Sequence, residues 1–240
     1  MTEAQPGLVV FDLDDTLYEY EPSHRAGTAA LLAFASAQLG VKATAFERAL
    51  STARENVKAR LGATASSHSR LLYCHEALEL IGVRSEPQIA LTMEQEYWRT
   101  YISAATLRPG ALDLLQTLRY NGVTTAIVTD LTAQIQFRKI IHLDLARYID
   151  HIVCSEETPH EKASLAPFEL LFERVAPGLL EHVWFIGDND FDAPVARLID
   201  KGAIASGRGF RLHGASSDPH TVAWHDFSEI EKAAEQVFGE

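Results

Sequence analysis

Only two of the 240 residues are cysteine, Cys74 and Cys154, and they form no metal-ligand spacing with each other. The chain has no His/Cys constellation either, which argues against structural or catalytic zinc. So little cysteine is in keeping with a reducing compartment. Positive charge is also short: 21 Lys and Arg face 33 Asp and Glu, a formal net charge of -12 with a pI of about 5.3. That balance disfavours non-specific binding to nucleic acid or anionic membrane, although a local basic pocket could still hold a phosphate. No basic stripe with interleaved aromatics is present. No window approaches the length of an apolar membrane span, and MTEAQPG at the N-terminus lacks a basic segment followed by an apolar signal region. The default expectation is a cytoplasmic protein. The first apolar run is not followed by GxGxxG, and Gly207-Arg208-Gly209 comes late with the wrong continuation for a dinucleotide site.

What the chain does have is FDLDDTLY, residues 11–18. The apolar run Leu8-Val9-Val10-Phe11 stops abruptly at Asp12, and Asp14, Asp15 and Thr16 follow. The run reads as a buried strand with Asp12 at its C-terminal tip. Carboxylates crowded at the edge of a core raise one another's cost of ionisation, and a divalent cation would offset that cost. Taken alone, the stretch could also be an acidic turn after an edge strand.

The next ninety or so positions, roughly residues 19–107, carry helical periodicity and no strand signal. Helices are expected over 21–39, ended by Gly40; over 45–61, with Thr44 and Glu47 as a capping box; over 69–81, with Leu71, Cys74, Leu78 and Ile81 on one face; and over 87–103, with Ile89, Met93, Tyr97 and Tyr101 on one face. Each stripe is amphipathic, so these helices should pack together as a module inserted after the first strand. Beyond Arg108-Pro109-Gly110 the pattern alternates. Strands are expected at 123–128, 148–153, 182–186, 203–205 and 221–224. The helices between them carry Leu112, Leu115 and Leu118; residues 133–142; Phe168, Leu171 and Phe172; and Val195, Ala196, Leu198 and Ile199. Asp226 and Glu229 form a capping box for a last helix ending near Phe238. Alternation of this kind specifies an α/β fold, a parallel Rossmann-like sheet covered by helices on both faces, with an all-helical insertion. Residues 1–17 and 107–240 make the core, and 18–106 the insertion.

Parallel sheets gather their sites beyond the C-terminal ends of the strands. Asp12, Asp14, Thr129 and Asp188 all fall at such ends, so separate pieces of sequence converge in one crevice. Asp188 and Asp192 lie four apart, and both face that crevice if a helix starts there. With Asp12 and the backbone carbonyl of Asp14 they offer a hard, oxygen-rich site suited to magnesium. Lys162 and Thr129 supply the complement, an ammonium and a hydroxyl for the oxygens of a phosphoryl group. One carboxylate could attack phosphorus and another protonate the leaving oxygen; the spacing favours Asp12 as nucleophile and Asp14 as proton donor. Singly, each group has a plainer reading. Lys162 could be a solvated lysine, and Thr129-Asp130 and Asp188 could cap the helices that follow them. Their coincidence at strand ends raises the joint reading above these.

On these residues the chain resembles the haloacid dehalogenase-like hydrolase superfamily. Asp12-Leu13-Asp14-Asp15-Thr16 matches its DxDxT signature, Thr129 its strand-end Ser/Thr, Lys162 its lysine, and Gly187-Asp188 with Asp192 its GDxxxD motif, in the right order and with a helical cap after the first strand. The resemblance implies a two-step phosphoryl transfer. Asp12 is then the nucleophile, and Asp14 the general acid and afterwards the base. Thr16 steadies the first loop, and Thr129 and Lys162 bind the transferring group. Asp12, the Asp14 carbonyl and Asp188 hold Mg2+, with Asp192 orienting water or Lys162. The substrate-binding set is Asp12, Thr129, Asp130 and Lys162. The family's dehalogenases lack the second Asp, so Asp14 points to phosphate esters.

The sequence departs from the family pattern in three places. Lys162-Ala163 stands where Lys-Pro is usual, Asp130 where Asn is frequent, and Asp190 adds a carboxylate. A charge at Asp130 would resist an incoming phosphate unless it points away. The cap should close over the crevice, exclude water and choose the leaving group, a small phosphorylated metabolite. Tyr18 and Tyr20 could line its entrance or serve as core. Arg54, Arg60, Arg70 and Arg99 could each grip an anion or simply be solvated. The leading expectation is a magnesium-dependent phosphomonoesterase. The alternatives are a sugar phosphomutase and a catalytically silent binding or regulatory protein.

Overall fold

The computed structural model describes residues 4–212 and 214–239; Met1–Glu3, the start of the MTEAQPG segment, lie outside the described residues. Among the described residues six strands form one sheet, β1 (Leu8–Phe11), β2 (Thr124–Thr129), β3 (His151–Cys154), β4 (Val183–Gly187), β5 (Gly207–Leu212) and β6 (Thr221–Trp224), in the spatial order β3-β2-β1-β4-β5-β6. Every pairing is parallel. β1 lies between β2 and β4, and all four of its residues are buried. Leu8 and Val10 pack with Val128, Phe185 and the helices α7 (Ala166–Arg174) and α8 (Val195–Asp200). Val9 and Phe11 pack on the opposite face with Ile127, Trp184 and the helices α5 (Ala111–Tyr120), α6 (Ala133–His142) and α9 (Phe227–Phe238). A continuous apolar run with alternate residues entering two different cores is what a doubly covered parallel strand requires.

The inserted cap consists of α1 (Tyr20–Leu39), α2 (Ala43–Leu61), α3 (Arg70–Leu80) and α4 (Pro87–Ala104), with α1 packed on α4, and α3 on both α2 and α4. The chain enters and leaves it side by side: Tyr18 bridges Leu107, and the Arg108 amide donates to the Leu17 carbonyl at 2.9 Å. Arg108 also donates to the carbonyl and carboxylate of Asp15 at 3.1 and 3.2 Å, so the turn at Arg108-Pro109-Gly110 clamps the DxDxT loop. The apolar interior is continuous from Phe11 and Leu13 through Tyr18 into Leu31, Met93 and Tyr97 of the cap. Among the described residues no single helix is long and apolar enough to cross a membrane.

Four local expectations are corrected. α2 begins at Ala43 with Lys42 at its N-cap, and Ala45 and Phe46 donate to the Lys42 carbonyl; Thr44 is therefore inside the first turn and makes no capping box. β3 starts at His151 rather than 148, because the preceding turn satisfies Thr125 through the side chain of Asp150 at 2.9 Å. The fifth strand is Gly207–Leu212, not 203–205. Its glycines mark close backbone approach: a Cβ at Gly207 would lie 2.7 Å from the Val183 carbonyl oxygen, and one at Gly209 2.1 Å from Thr221 Oγ1. Finally, no helix starts at Asp188; residues 188–192 form a turn, and α8 begins at Val195.

Candidate active site

β1 ends at Phe11, and the next carboxylate, Asp12, is held over the sheet edge by its amide, which donates to the Ile186 carbonyl at 2.9 Å. Its side chain is buried. Oδ2 accepts from Thr16 Oγ1 at 3.0 Å and Oδ1 from Lys162 Nζ at 2.5 Å. Lys162, also buried, binds Asp192 with its remaining reach. Asp192 folds back from the turn after β4, and its Oδ2 accepts from the Asn189 amide at 3.0 Å. Gly187 makes that fold-back possible, since a Cβ there would sit 2.1 Å from the Asp192 Cβ. One carboxylate oxygen from each of Asp12, Asp188 and Asp192 lies within 4.8 Å of the others.

Burial pushes the Asp12 carboxyl well up; Lys162 opposes this, while Asp192, Asp188 and Asp14 reinforce it. Asp188 is pushed up to about 7 by burial, then by the charge of Asp192. Lys162 is held above the usual ammonium range: burial disfavours its charge, but Asp12, Asp192 and Asp130 outweigh that penalty. Three carboxylates thus face one ammonium, and the excess negative charge is what a hard dication would neutralise. The donor set fits a divalent metal ion of the magnesium or calcium kind.

Thr129 closes β2 with its hydroxyl buried, and Oγ1 accepts from Gln136 Nε2 at 2.6 Å. Asp130 turns one oxygen towards the Lys162 amide at 3.1 Å, so its charge does not oppose an incoming anion head-on. Two non-glycine residues with positive φ follow the anion-side loops, Leu131 (φ 108) after Asp130 and Leu165 (φ 71) after Lys162. Such conformations persist only where surrounding contacts enforce them. Asp190 points away, to Arg211 at 2.9 Å and Ser216 at 2.7 Å, and takes no part in the cluster.

Asp14 departs from the carboxylate cluster. Lys139 Nζ lies 2.6 and 2.9 Å from its two oxygens, Gln136 Nε2 donates at 3.0 Å, and the Tyr18 hydroxyl donates as well. Burial raises its pKa, but Lys139 and these hydrogen bonds more than reverse that, and the carboxyl is held below its usual range. Lys139 is itself 1% exposed, with Tyr18, Trp98 and Tyr101 rings 5.2–5.9 Å from its nitrogen. Neither Lys139 nor Gln136 was expected from the sequence. The available signal was their position on α6: both share the buried stripe of Ile135 and Ile140, where a solvated lysine does not belong.

These groups line one cleft of about 320 Å³. From the core come Asp12, Asp14, Thr129, Asp130, Lys139, Lys162 and Asp188; from the cap and the segment leading into it, Tyr20, Arg54, Lys58, His68, Arg70 and Trp98. Of the four arginines singled out in the sequence, Arg54 and Arg70 reach the cleft. Arg60 and Arg99 are solvent-facing partners of Glu76 and Glu96. Tyr18 is fully buried and Tyr20 lines the cleft.

Residues 6–200 match the model of the haloacid dehalogenase-like hydrolase family. The chain is 37% identical over 229 residues to a ribulose-1,5-bisphosphate 5-phosphatase of Halopiger xanaduensis, covering 95% of this chain and 92% of that one. It is 25% identical over 223 residues to a phosphoglycolate phosphatase of Rhodobacter capsulatus, covering 92% and 94%. Among solved structures, a 2-haloacid dehalogenase from Pseudomonas syringae superposes with a TM-score of 0.69 at 20% identity, covering 96% of this chain and 97% of that one. A magnesium-bound hydrolase of the same fold from Bacillus subtilis superposes with a TM-score of 0.67 at 18% identity, covering 96% and 99%.

Proposed function

The chain belongs to the haloacid dehalogenase-like hydrolase family, and on that premise we propose a magnesium-dependent phosphomonoesterase that works through an aspartyl-phosphate on Asp12. The observation that carries this reading is the meeting of Asp12, Asp188 and Asp192 with Lys162 and Thr129 at one set of strand ends. The names of the relatives, a ribulose-1,5-bisphosphate 5-phosphatase and a phosphoglycolate phosphatase, support a small phosphorylated metabolite as substrate. The cap is taken as residues 18–106, a boundary supported by the bridge between Tyr18 and Leu107.

In this reading Asp12 attacks phosphorus, and the bond to the leaving oxygen breaks as that oxygen takes a proton from Asp14. Water then attacks the aspartyl-phosphate and gives its proton to Asp14 as the bond to Asp12 breaks. Lys139 holds Asp14 ionised in the resting protein, which is the form the second step needs. The negative phosphoryl group arriving beside it works in the opposite direction and favours the protonated form for the first. Thr129 Oγ1 accepts from Gln136 at 2.6 Å and donates to the Asp130 carbonyl at 3.4 Å, a long contact that a phosphoryl oxygen would replace as acceptor. Lys162 places an ammonium beside the attacking oxygen, and Asp192 orients that ammonium. Thr16 fixes the rotamer of Asp12. Asp130 borders the anion side through the Lys162 amide. Asp12, the Asp14 carbonyl, Asp188 and Asp192 would hold magnesium, which when bound neutralises charge between carboxylates and phosphoryl oxygens.

A panel of phosphate esters assayed for inorganic phosphate with magnesium, and again with a chelator, tests the reading. Release that requires the metal is expected; no release from any ester would overturn it.

A further inference from the structure

Three cations of the cap converge on the cleft without an acidic partner. Arg54 and Lys58 lie one turn apart on α2, and Arg70 opens α3. Arg70 donates to the His68 carbonyl at 2.9 Å and to the Tyr20 hydroxyl at 3.0 Å, and its guanidinium sits 5.2–5.6 Å from the Tyr73, Tyr97 and Trp98 rings. Those partners are neutral. Glu161 lies near Lys58 but is bound to His68 at 2.7 Å. Among the described residues neither Arg54 nor Lys58 makes an ion pair. An unpaired arginine on open surface is ordinary; several cations on one partly enclosed wall repel one another. Lys58 is held below the usual ammonium range by burial first, then by Arg54 and Arg70, with Glu161 opposing.

The transferring phosphoryl group does not account for these charges. In the proposed reaction that group is held by Lys162 and Thr129 of the core, whereas these cations line the same cleft from the cap. Tyr20, Arg54 and Arg70 are shared with a second cavity of about 400 Å³ enclosed by α1, α2, α3 and α4, whose wall includes His24 and Thr28 and no residue of the sheet. Glu47 stands on the α2 side of that cavity, so the positive end of the space is the end facing the cleft. The volumes on both sides suit a small metabolite.

We infer that Arg54, Lys58 and Arg70 form a second anion subsite, and that the preferred substrate is a phosphate monoester bearing another phosphate or a carboxylate at its far end. The inference rests on the phosphatase reading for its reaction, but the subsite itself does not require turnover. Arginine forks bind carboxylate and phosphate in the same bidentate manner, so either group satisfies the chemistry.

The test compares a pentulose bisphosphate, phosphoglycolate and glycerol phosphate in wild type and in the Arg54→Ala and Lys58→Ala variants. Both side chains reach solvent, so neither variant removes core packing. At least one anionic-tailed ester should exceed glycerol phosphate in kcat/KM by 10–100-fold, the order expected for charge-assisted contacts. Which ester gains identifies phosphate or carboxylate as the second group. Each variant should lower that ratio about tenfold, mainly through KM. An unchanged ratio, or equal losses on all three esters, overturns the inference. Calorimetric titration with propane-1,3-bisphosphonate against propylphosphonate reads the subsite without turnover. Wild type should prefer the bisphosphonate at least tenfold and the Arg54→Ala/Lys58→Ala double variant should lose that preference, whereas equal affinities in wild type refute the subsite. A protein that releases no phosphate from any ester yet keeps the bisphosphonate preference would refute only the phosphatase reading.

Discussion

The core and the cap carry their charges in opposite ways. At the strand ends every ammonium in the cleft is matched: Lys162 lies between Asp12 and Asp192, and Lys139 grips both oxygens of Asp14. In the cap, Arg70 is surrounded by aromatic rings and hydroxyls, and among the described residues neither Arg54 nor Lys58 makes an ion pair. Buried pairs of the first kind are rigid and order side chains for chemistry, because separating one partner strands a charge. Unpaired cations of the second kind leave attraction unused until an anion arrives. On the proposed reading the chemistry is built into the core, while selectivity is left to an anion that completes the cap.

The comparison breaks most sharply at Asp12. Asp12→Asn should lower phosphate release by three or more orders of magnitude, as removal of a nucleophile does, with an unchanged circular dichroism spectrum. Turnover near wild type would remove Asp12 from that role. Lys139→Met tests whether the second core pair is as indispensable as the first. Methionine fills the space among Tyr18, Trp98 and Tyr101 but leaves Asp14 without its ammonium, so stability should fall by about 3–5 kcal/mol and turnover by roughly 100-fold. Adding Asp14→Asn should restore much of the lost stability while leaving activity low. A double variant as unstable as Lys139→Met alone would show that packing, and not charge pairing, gives Lys139 its effect.

What the sequence disclosed follows the same division. Asp12, Thr129 and Asp188 were legible because a strand that is buried on both faces must stop where the charge begins, and the sheet order then brings those stops together. Asp192 was placed in the crevice through the wrong local structure. A turn, permitted by Gly187, folds it back where a helix was expected. β5 was placed at 203–205, short of its true start, although close approach to β4 and Thr221 is what demands Gly207 and Gly209 in it. Lys139 was invisible to composition because its partner is 125 positions away. The cap cations were the hardest to sort. Arg54, Arg60, Arg70 and Arg99 look alike along the chain, and only the packing of α1–α4 turns two of them towards the cleft.

A smaller effect separates the metal's contribution from the core's own charge pairing. Asp188 is raised to about 7 against an ordinary 3.8. The folded protein therefore binds a proton there more readily than the unfolded chain, so stability falls as pH rises from about 4 to 7 and the penalty is complete above that window. At pH 8 in chelator, Asp188→Ala should melt a few degrees above wild type, ~1 kcal/mol being worth roughly 2–4 °C at this size. Magnesium should raise the wild-type melting temperature and have little effect on the variant, whose activity should need more metal. A variant with wild-type metal dependence would count against Asp188 as a ligand.

The finest distinction concerns whether cap and core unfold separately. Each region holds one buried thiol, Cys74 on α3 and Cys154 at the end of β3, and burial pushes both up to about 12. Neither should react with a thiol reagent in the native protein at pH 8. Rigid opening of the cap would leave Cys74 covered, because its neighbours Ala77, Leu78 and Met93 move with it. Only loss of the cap's own packing exposes it. Since one apolar cluster runs from Phe11 through Tyr18 to Tyr97, that loss should also remove support from the sheet, and the two cysteines should become labelled at the same denaturant concentration. Earlier labelling of Cys74 would instead make the cap an independent unfolding unit, and the division between core and cap would then extend from charge to stability.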